Sequence, residues 1–134
     1  MSEMNPQTIT EMLTGRIPDV IAIYQFGSQA RGESRRTSDI DLAVLARCPI
    51  PGEPLFEIAQ DLAVHLHHDV DLLDLRSAST VMRMQVLATG QCIETRDERA
   101  KAEFEMYAYA DYARLNEERK DVLKGIAQRG LVYG

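Results

Sequence analysis

Phe26-Gly27-Ser28-Gln29-Ala30-Arg31-Gly32-Glu33-Ser34-Arg35-Arg36-Thr37-Ser38-Asp39-Ile40-Asp41-Leu42 is the segment that decides the fold. It begins where an almost continuously apolar, β-rich run, Val20 to Phe26, ends; such a run reads as a buried strand. Gly27-Ser28 stops that strand. A second strand follows from Ile40 to Ala46. The two-residue period puts Asp39 and Asp41 on one face and Ile40 and Leu42 on the other. Gly27 has no Cβ, so the backbone can approach a ligand closely there. Ser28 offers a hydroxyl and an N–H to a phosphate oxygen. Residues 29 to 31 are expected to open a short helix, whose free N–H groups suit an anion. Arg31, Arg35 and Arg36 add positive charge, with a solvated loop the equal alternative for the last two. Ser38 can orient the strand that follows.

Two carboxylates two residues apart repel unless a hard cation sits between them. Mg²⁺ takes one or two carboxylates plus substrate phosphates, and a two-metal site wants a third carboxylate. The run Asp69-Val70-Asp71-Leu72-Leu73-Asp74 supplies one on a third strand. Asp71 is flanked by apolar residues and is the expected ligand. Asp74 falls on the opposite face, and Asp69 at the strand edge. A lone Asp-x-Asp is usually the wet side of an edge strand. The coincidence of strand, Gly-Ser turn, basic loop, Ser-Asp-x-Asp and third-strand Asp argues against that here.

Working outward, Pro6 sits at the first position of a helix whose face holds Ile9, Met12 and Leu13, with Gly15 placed to close it. Cys48 to Pro54 holds three prolines and a glycine and reads as a loop. Leu55, Ile58, Ala59, Leu62, Ala63 and Leu66 then mark an amphipathic helix. His65, His67 and His68 end it, where a protonated imidazole suits the negative dipole end better than a metal. Val70 to Leu75 is the third strand. Ser77 or Ser79 can cap a helix ending before Gly90, and Gln91 to Thr95 is a fourth strand. About 97 to 127 reads as one long helix. The class is therefore α/β, with a small mixed sheet and flanking helices.

The chain has 134 residues, so one domain is expected over 1–134, with its core at about 17–95. Hydrophobic residues are 45% and charged residues 27%, which excludes a disordered chain. The net charge of −6 argues against a surface that grips nucleic acid directly. No apolar run is long enough for a membrane helix, and the first residues lack a secretory pattern. Cys48 and Cys92 are isolated and read as free thiols of a cytoplasmic protein.

Gly27-Ser28, ten residues, then Asp39-x-Asp41 resembles the signature of the nucleotidyltransferases related to DNA polymerase β. The fuller pattern, Gly27-Ser28-x-Ala30-Arg31-Gly32 with Ser38-Asp39-Ile40-Asp41-Leu42, is similar to the minimal nucleotidyltransferases of HEPN–MNT toxin–antitoxin pairs. Asp69 to Ala78 looks like the MntA-type antitoxins. The resemblance implies the polymerase β-like fold and transfer of AMP from ATP to a tyrosine of a HEPN (HepT-type) ribonuclease. It implies Mg²⁺ on Asp39, Asp41 and Asp71, the latter also near the attacking hydroxyl. Gly27, Ser28, Arg31 and Ser38 would serve the nucleotide. A hetero-oligomer with the toxin follows from the same resemblance. Two other functions fit less well. A small-molecule nucleotidyltransferase needs an acceptor pocket that this length hardly provides. An antitoxin acting by binding alone would not need three converging carboxylates.

The long helix carries Phe104, Ala108, Asp111, Leu115, Val122 and Ile126 along one stripe. Met106, Tyr109 and Ala113 form a second. One reading packs one face on the sheet and leaves the tyrosines ordinary. The other gives the outer stripe to the toxin or to a second copy.

Overall fold

The computed structural model describes residues 6–27 and 39–128. The order is α1 (Pro6–Arg16), β1 (Val20–Phe26), β2 (Ile40–Ala46), α2 (Gly52–Leu66), β3 (Val70–Asp74), α3 (Thr80–Thr89), β4 (Gln91–Thr95) and α4 (Glu98–Gln128). The short helix expected at residues 29 to 31 lies outside the described residues. The four strands lie in the order β3-β2-β1-β4. β1 runs antiparallel to β2 and β4, whereas β2 and β3 are parallel, joined by the crossover through α2. The mixed α/β reading is therefore right.

β2 is central and explains the two-sided core. Its Ile40, Leu42, Val44 and Ala46 face α1 and α2, meeting Ile9, Leu13, Ile58, Leu62 and Leu66. Its Ala43 and Leu45 face the other way, toward Val86 of α3 and Phe104 and Ala108 of α4. Only Asp41 in β2 is less than fully buried. Each fully buried Ile or Leu contributes about 2 kcal/mol, so the strand's orientation is fixed by both helix layers at once.

Differences from the sequence reading have local causes. α2 starts at Gly52 rather than Leu55. Pro54 falls in the first turn, where backbone N–H groups have no intrahelical acceptor, so a missing N–H costs nothing. α2 ends at Leu66, and the left-handed φ of 58° at His67 turns the chain so that the His68 N–H reaches the Ala63 carbonyl at 3.3 Å. α1 runs past Gly15 to Arg16. Ser79 is the cap of α3, accepting from the Met82 N–H at 3.1 Å.

β3 ends at Asp74 because that side chain turns inward. It is 4% exposed. It accepts from the Ile50 N–H at 2.9 Å, the Arg76 N–H at 3.0 Å and the Ser77 hydroxyl at 2.8 Å. One carboxylate thus ties the loop before α2 to the turn after β3.

α4 follows the direction of β1. The Arg96 N–H bonds the Ile21 carbonyl at 2.7 Å, and farther along the Tyr24 hydroxyl donates to Glu105 at 2.7 Å. Burial and the Glu105 carboxylate push the Tyr24 phenol far above its ordinary value. Phe104 and Ala108 are the buried members of the expected stripe; Val122 is 59% exposed. The distal half of α4 therefore does not pack on the sheet.

Replacing Asp74 with Ala strands two part-buried N–H donors and a hydroxyl. Hydrogen bonds to a charged group are worth about 1.5–3 kcal/mol each, so urea unfolding should show a loss of about 3 kcal/mol. A loss under about 0.5 kcal/mol would contradict this role for Asp74.

Candidate active site

Asp41 stands at the start of the central strand, opposite Phe26 of β1 and Asp71 of β3. The parallel register places Asp41 and Asp71 side by side on the α3–α4 face. Their carboxyls come within hydrogen-bonding reach. Burial raises the Asp41 carboxyl above the ordinary range, and the negative charges of Asp71 and then Asp39 raise it further. Asp39 precedes β2 and is exposed. The neighbouring Ile40 N–H is bonded to the Asp69 carbonyl at 2.9 Å, which fixes β2 against β3 at this end.

Gly27 closes the site from the β1 side. Its φ is +80°, which disfavours any L side chain. A Cβ there would fall on the Asp41 carboxylate, 3.1 Å from its Cγ and closer still to an oxygen. The missing side chain at Gly27 is what leaves Asp41 its place.

The structure thus brings together Gly27, Asp41 and Asp71, with Asp39 near enough for its charge to be felt. Among the described residues, no three acidic, histidine or cysteine side chains are preassembled to hold a metal. Carboxylates without a counter-ion repel, so a three-ligand cluster is not held ready. Ser28, Arg31 and Ser38, and with them Arg35 and Arg36, lie outside the described residues. His65 lies in the last turn of α2, and His67 and His68 follow its end.

Sequence reasoning did not find the cavity beside this site. It has a volume of about 550 Å³ and lies between α2 and β3. Asp39, Asp69 and Asp71 share it with Phe56, Ala59 and Gln60. The signal was Phe56, a large apolar residue off the packed stripe of α2.

The profile of the polymerase beta nucleotidyltransferase family matches residues 7–99. The chain belongs to this family. It is 46% identical over 91 residues to the protein adenylyltransferase MntA of Shewanella oneidensis. That match spans 68% of this chain and 66%, just under two thirds, of the relative. A crystal structure of a toxin–antitoxin with AMP-PNP contains a chain 37% identical to this one, with a TM-score of 0.83. That likeness covers 92% of this chain and 99% of the other. The complex of a tri-AMPylated Shewanella oneidensis HEPN toxin with its MNT antitoxin gives 35% identity and a TM-score of 0.77. It covers 95% of this chain and 99% of that one. No helix among the described residues is long and apolar enough to cross a membrane.

The Asp41 carboxyl is harder to ionise in the folded chain, so the native state holds this proton more tightly than the unfolded one does. The stability linked to it is present at acid pH and lost as pH rises through the folded-state value. Asp41→Asn removes that loss. Measured by urea unfolding in chelator, the variant should gain on the wild type as pH rises from the ordinary carboxylate range toward neutrality. A difference between the two that stays constant with pH would contradict the assignment.

Proposed function

We propose that this chain is a protein adenylyltransferase acting as an antitoxin. It transfers AMP from ATP to a tyrosine hydroxyl of a HEPN ribonuclease toxin and so neutralises it. The observation that carries the reading is the Asp41–Asp71 pair held against Gly27. Two carboxyls crowded at one end of a sheet are costly alone and useful with a cation and phosphates. The relatives' activity and their complexes with a HEPN toxin supply the substrate class and the partner. A binding-only antitoxin has no use for this strain. No observation favours a small-molecule acceptor.

Mg²⁺ fits this donor set, which offers hard carboxylate oxygens of the right sign and leaves the remaining ligand positions to the nucleotide. Asp41 and Asp71, with Asp39 beside them, would hold it. Bound there, the ion supplies charge neutralisation at the α-phosphate and the leaving oxygens. Gly27 lets the chain pass close to the triphosphate, and the Ser28 hydroxyl and N–H hold its outer phosphates. Arg31 adds charge to that cradle, and Ser38 orients Asp39. The tyrosine oxygen attacks the α-phosphorus and the bond to pyrophosphate breaks. Asp71 takes the phenolic proton and passes it to solvent. The products are the tyrosine–AMP ester and pyrophosphate. Two exposed thiols, Cys48 and Cys92, suit a reducing cytoplasm.

Incubation with ATP, Mg²⁺ and the cognate HEPN protein should add one or more AMP masses to that protein by intact mass spectrometry. Asp41→Asn should abolish the gain. An unmodified toxin whose ribonuclease activity is nevertheless silenced would sink the reading in favour of binding alone.

Gly27→Ala forces a positive φ on an L residue, at a cost of about 1–2 kcal/mol, and displaces Asp41. Transfer should fall about a hundredfold or more, equivalent to roughly 2.7 kcal/mol in the barrier. Ser28→Ala removes one charge-assisted bond worth about 1.5–3 kcal/mol, so about ten- to a hundredfold is expected. Initial-rate measurements check both; a Gly27→Ala enzyme with wild-type rates would contradict the packing argument.

A further inference from the structure

A second cavity, of about 320 Å³, lies at the end of the sheet where β2 and β3 finish, beneath α3 and α4. Arg47, Arg76 and Arg83 line it, together with Glu103, Phe104 and Tyr107. Its volume stands at the lower end of small-ligand sites.

Arg76 and Arg83 are half-buried, and backbone carbonyls hold both. Nε of Arg76 donates to the Ala46 carbonyl at 2.7 Å, and Nε of Arg83 to the Leu75 carbonyl at 2.8 Å. Nη2 of Arg83 also donates to the Arg76 carbonyl at 2.7 Å. Both guanidiniums lie over the Phe104 ring, 5.3 and 5.2 Å from its centroid. A guanidinium has more N–H donors than these contacts use. Among the described residues, no carboxylate comes within ion-pair distance of either side chain. Half-buried positive charge without a counter-ion is costly. The chain carries a net charge of −6, yet it sets no acidic side chain against this pair. Arg47 is tied to Asp97 at 2.6 Å. Glu103, the one acid in the described lining, is exposed.

This cavity is separate from the carboxylate pair. From Asp41 to Arg47 the chain is extended and covers about 20 Å, at roughly 3.3 Å per residue. The buried Ala43 and Leu45 fill the stretch between them on the same face. A nucleotide on Asp41 and Asp71 therefore leaves the arginines unoccupied.

We infer that this cavity binds the phosphate group of a small ligand, held by the remaining donors of Arg76 and Arg83 with the Tyr107 ring beside it. The inference does not depend on the adenylyltransferase reading. A phosphate has three terminal oxygens and nearly two negative charges, and it takes both forks; a carboxylate is matched by one. Free phosphate and a nucleoside monophosphate share this chemistry. Tyr107 is 65% exposed, and a base gains by stacking on such a ring. A concave site on an acidic chain suits a small ligand, whereas a nucleic-acid backbone needs an extended basic stripe.

The test is amide NMR of the full chain in chelator, titrated separately with inorganic phosphate, AMP and acetate. With phosphate, the amides of Arg47, Arg76, Arg83 and Tyr107 should shift and saturate, and those of Gly27, Asp41 and Asp71 should stay in place. Arg83→Lys keeps the charge and loses the fork, so phosphate should bind about tenfold more weakly. Arg114→Gln, outside the cavity, should leave binding unchanged. AMP that binds more tightly than phosphate assigns a nucleotide, and Tyr107→Ala should then remove the difference; AMP that binds no more tightly assigns free phosphate. Acetate that binds as tightly as phosphate would overturn the inference and give the cavity to a carboxylate of a partner. The absence of saturable shifts at these amides, or an unchanged phosphate affinity in Arg83→Lys, would overturn it too. The wild-type shifts alone decide the case if Arg83→Lys does not fold.

Discussion

Two carboxyls that would repel are pressed together at one end of the central strand. Asp41 cannot retreat, because β2 is packed by helices on both faces and its neighbours Ile40 and Leu42 are fully buried. Asp71 cannot retreat either, since β3 is hydrogen-bonded to β2 in parallel register. The core thus holds a charge arrangement that water alone would disperse. The physical trade is ordinary for a functional site: apolar burial on the order of 2 kcal/mol per side chain holds two like charges together.

The rest of the fold serves that arrangement. Gly27 leaves room for the Asp41 carboxylate. Asp74 fixes the far end of β3 by three hydrogen bonds, so the register that pairs Asp41 with Asp71 does not slip. α4 braces the opposite face of the sheet with Phe104 and Ala108. Arg76 and Arg83 sit 5.3 and 5.2 Å from the Phe104 ring centroid and steady the turn that leads into α3.

Much of this was legible in the sequence because central strands have so little freedom. β1, β2 and β4 fall where apolar continuity and bounding turns place them. The choice of Asp71 over Asp74 as the neighbour of Asp41 followed from the two-residue period, and the register pairs the two. The start of α2 was masked by Pro54, whose effect depends on its position within the first turn. The dependence of Asp41 on Gly27 is a contact between adjacent strands and leaves no local trace. The cavity at Phe56 depends on how far α2 stands from an edge strand, which periodicity does not encode. The long apolar stripe of α4 was read as uniform. Its distal half is left unburied because α4 runs along β1 and its 31 residues far outreach that seven-residue strand, Ala108 being its last buried residue.

The central claim is that the Asp41–Asp71 pair is built to be completed by a cation and a nucleotide. Carbon-detected NMR titration of the Asp41 carboxyl tests it directly, first in chelator and then with Mg²⁺ and a non-hydrolysable ATP analogue. The account predicts a raised value in the free protein that falls below the ordinary carboxylate range once both are bound. A value that remains raised with both present would contradict it.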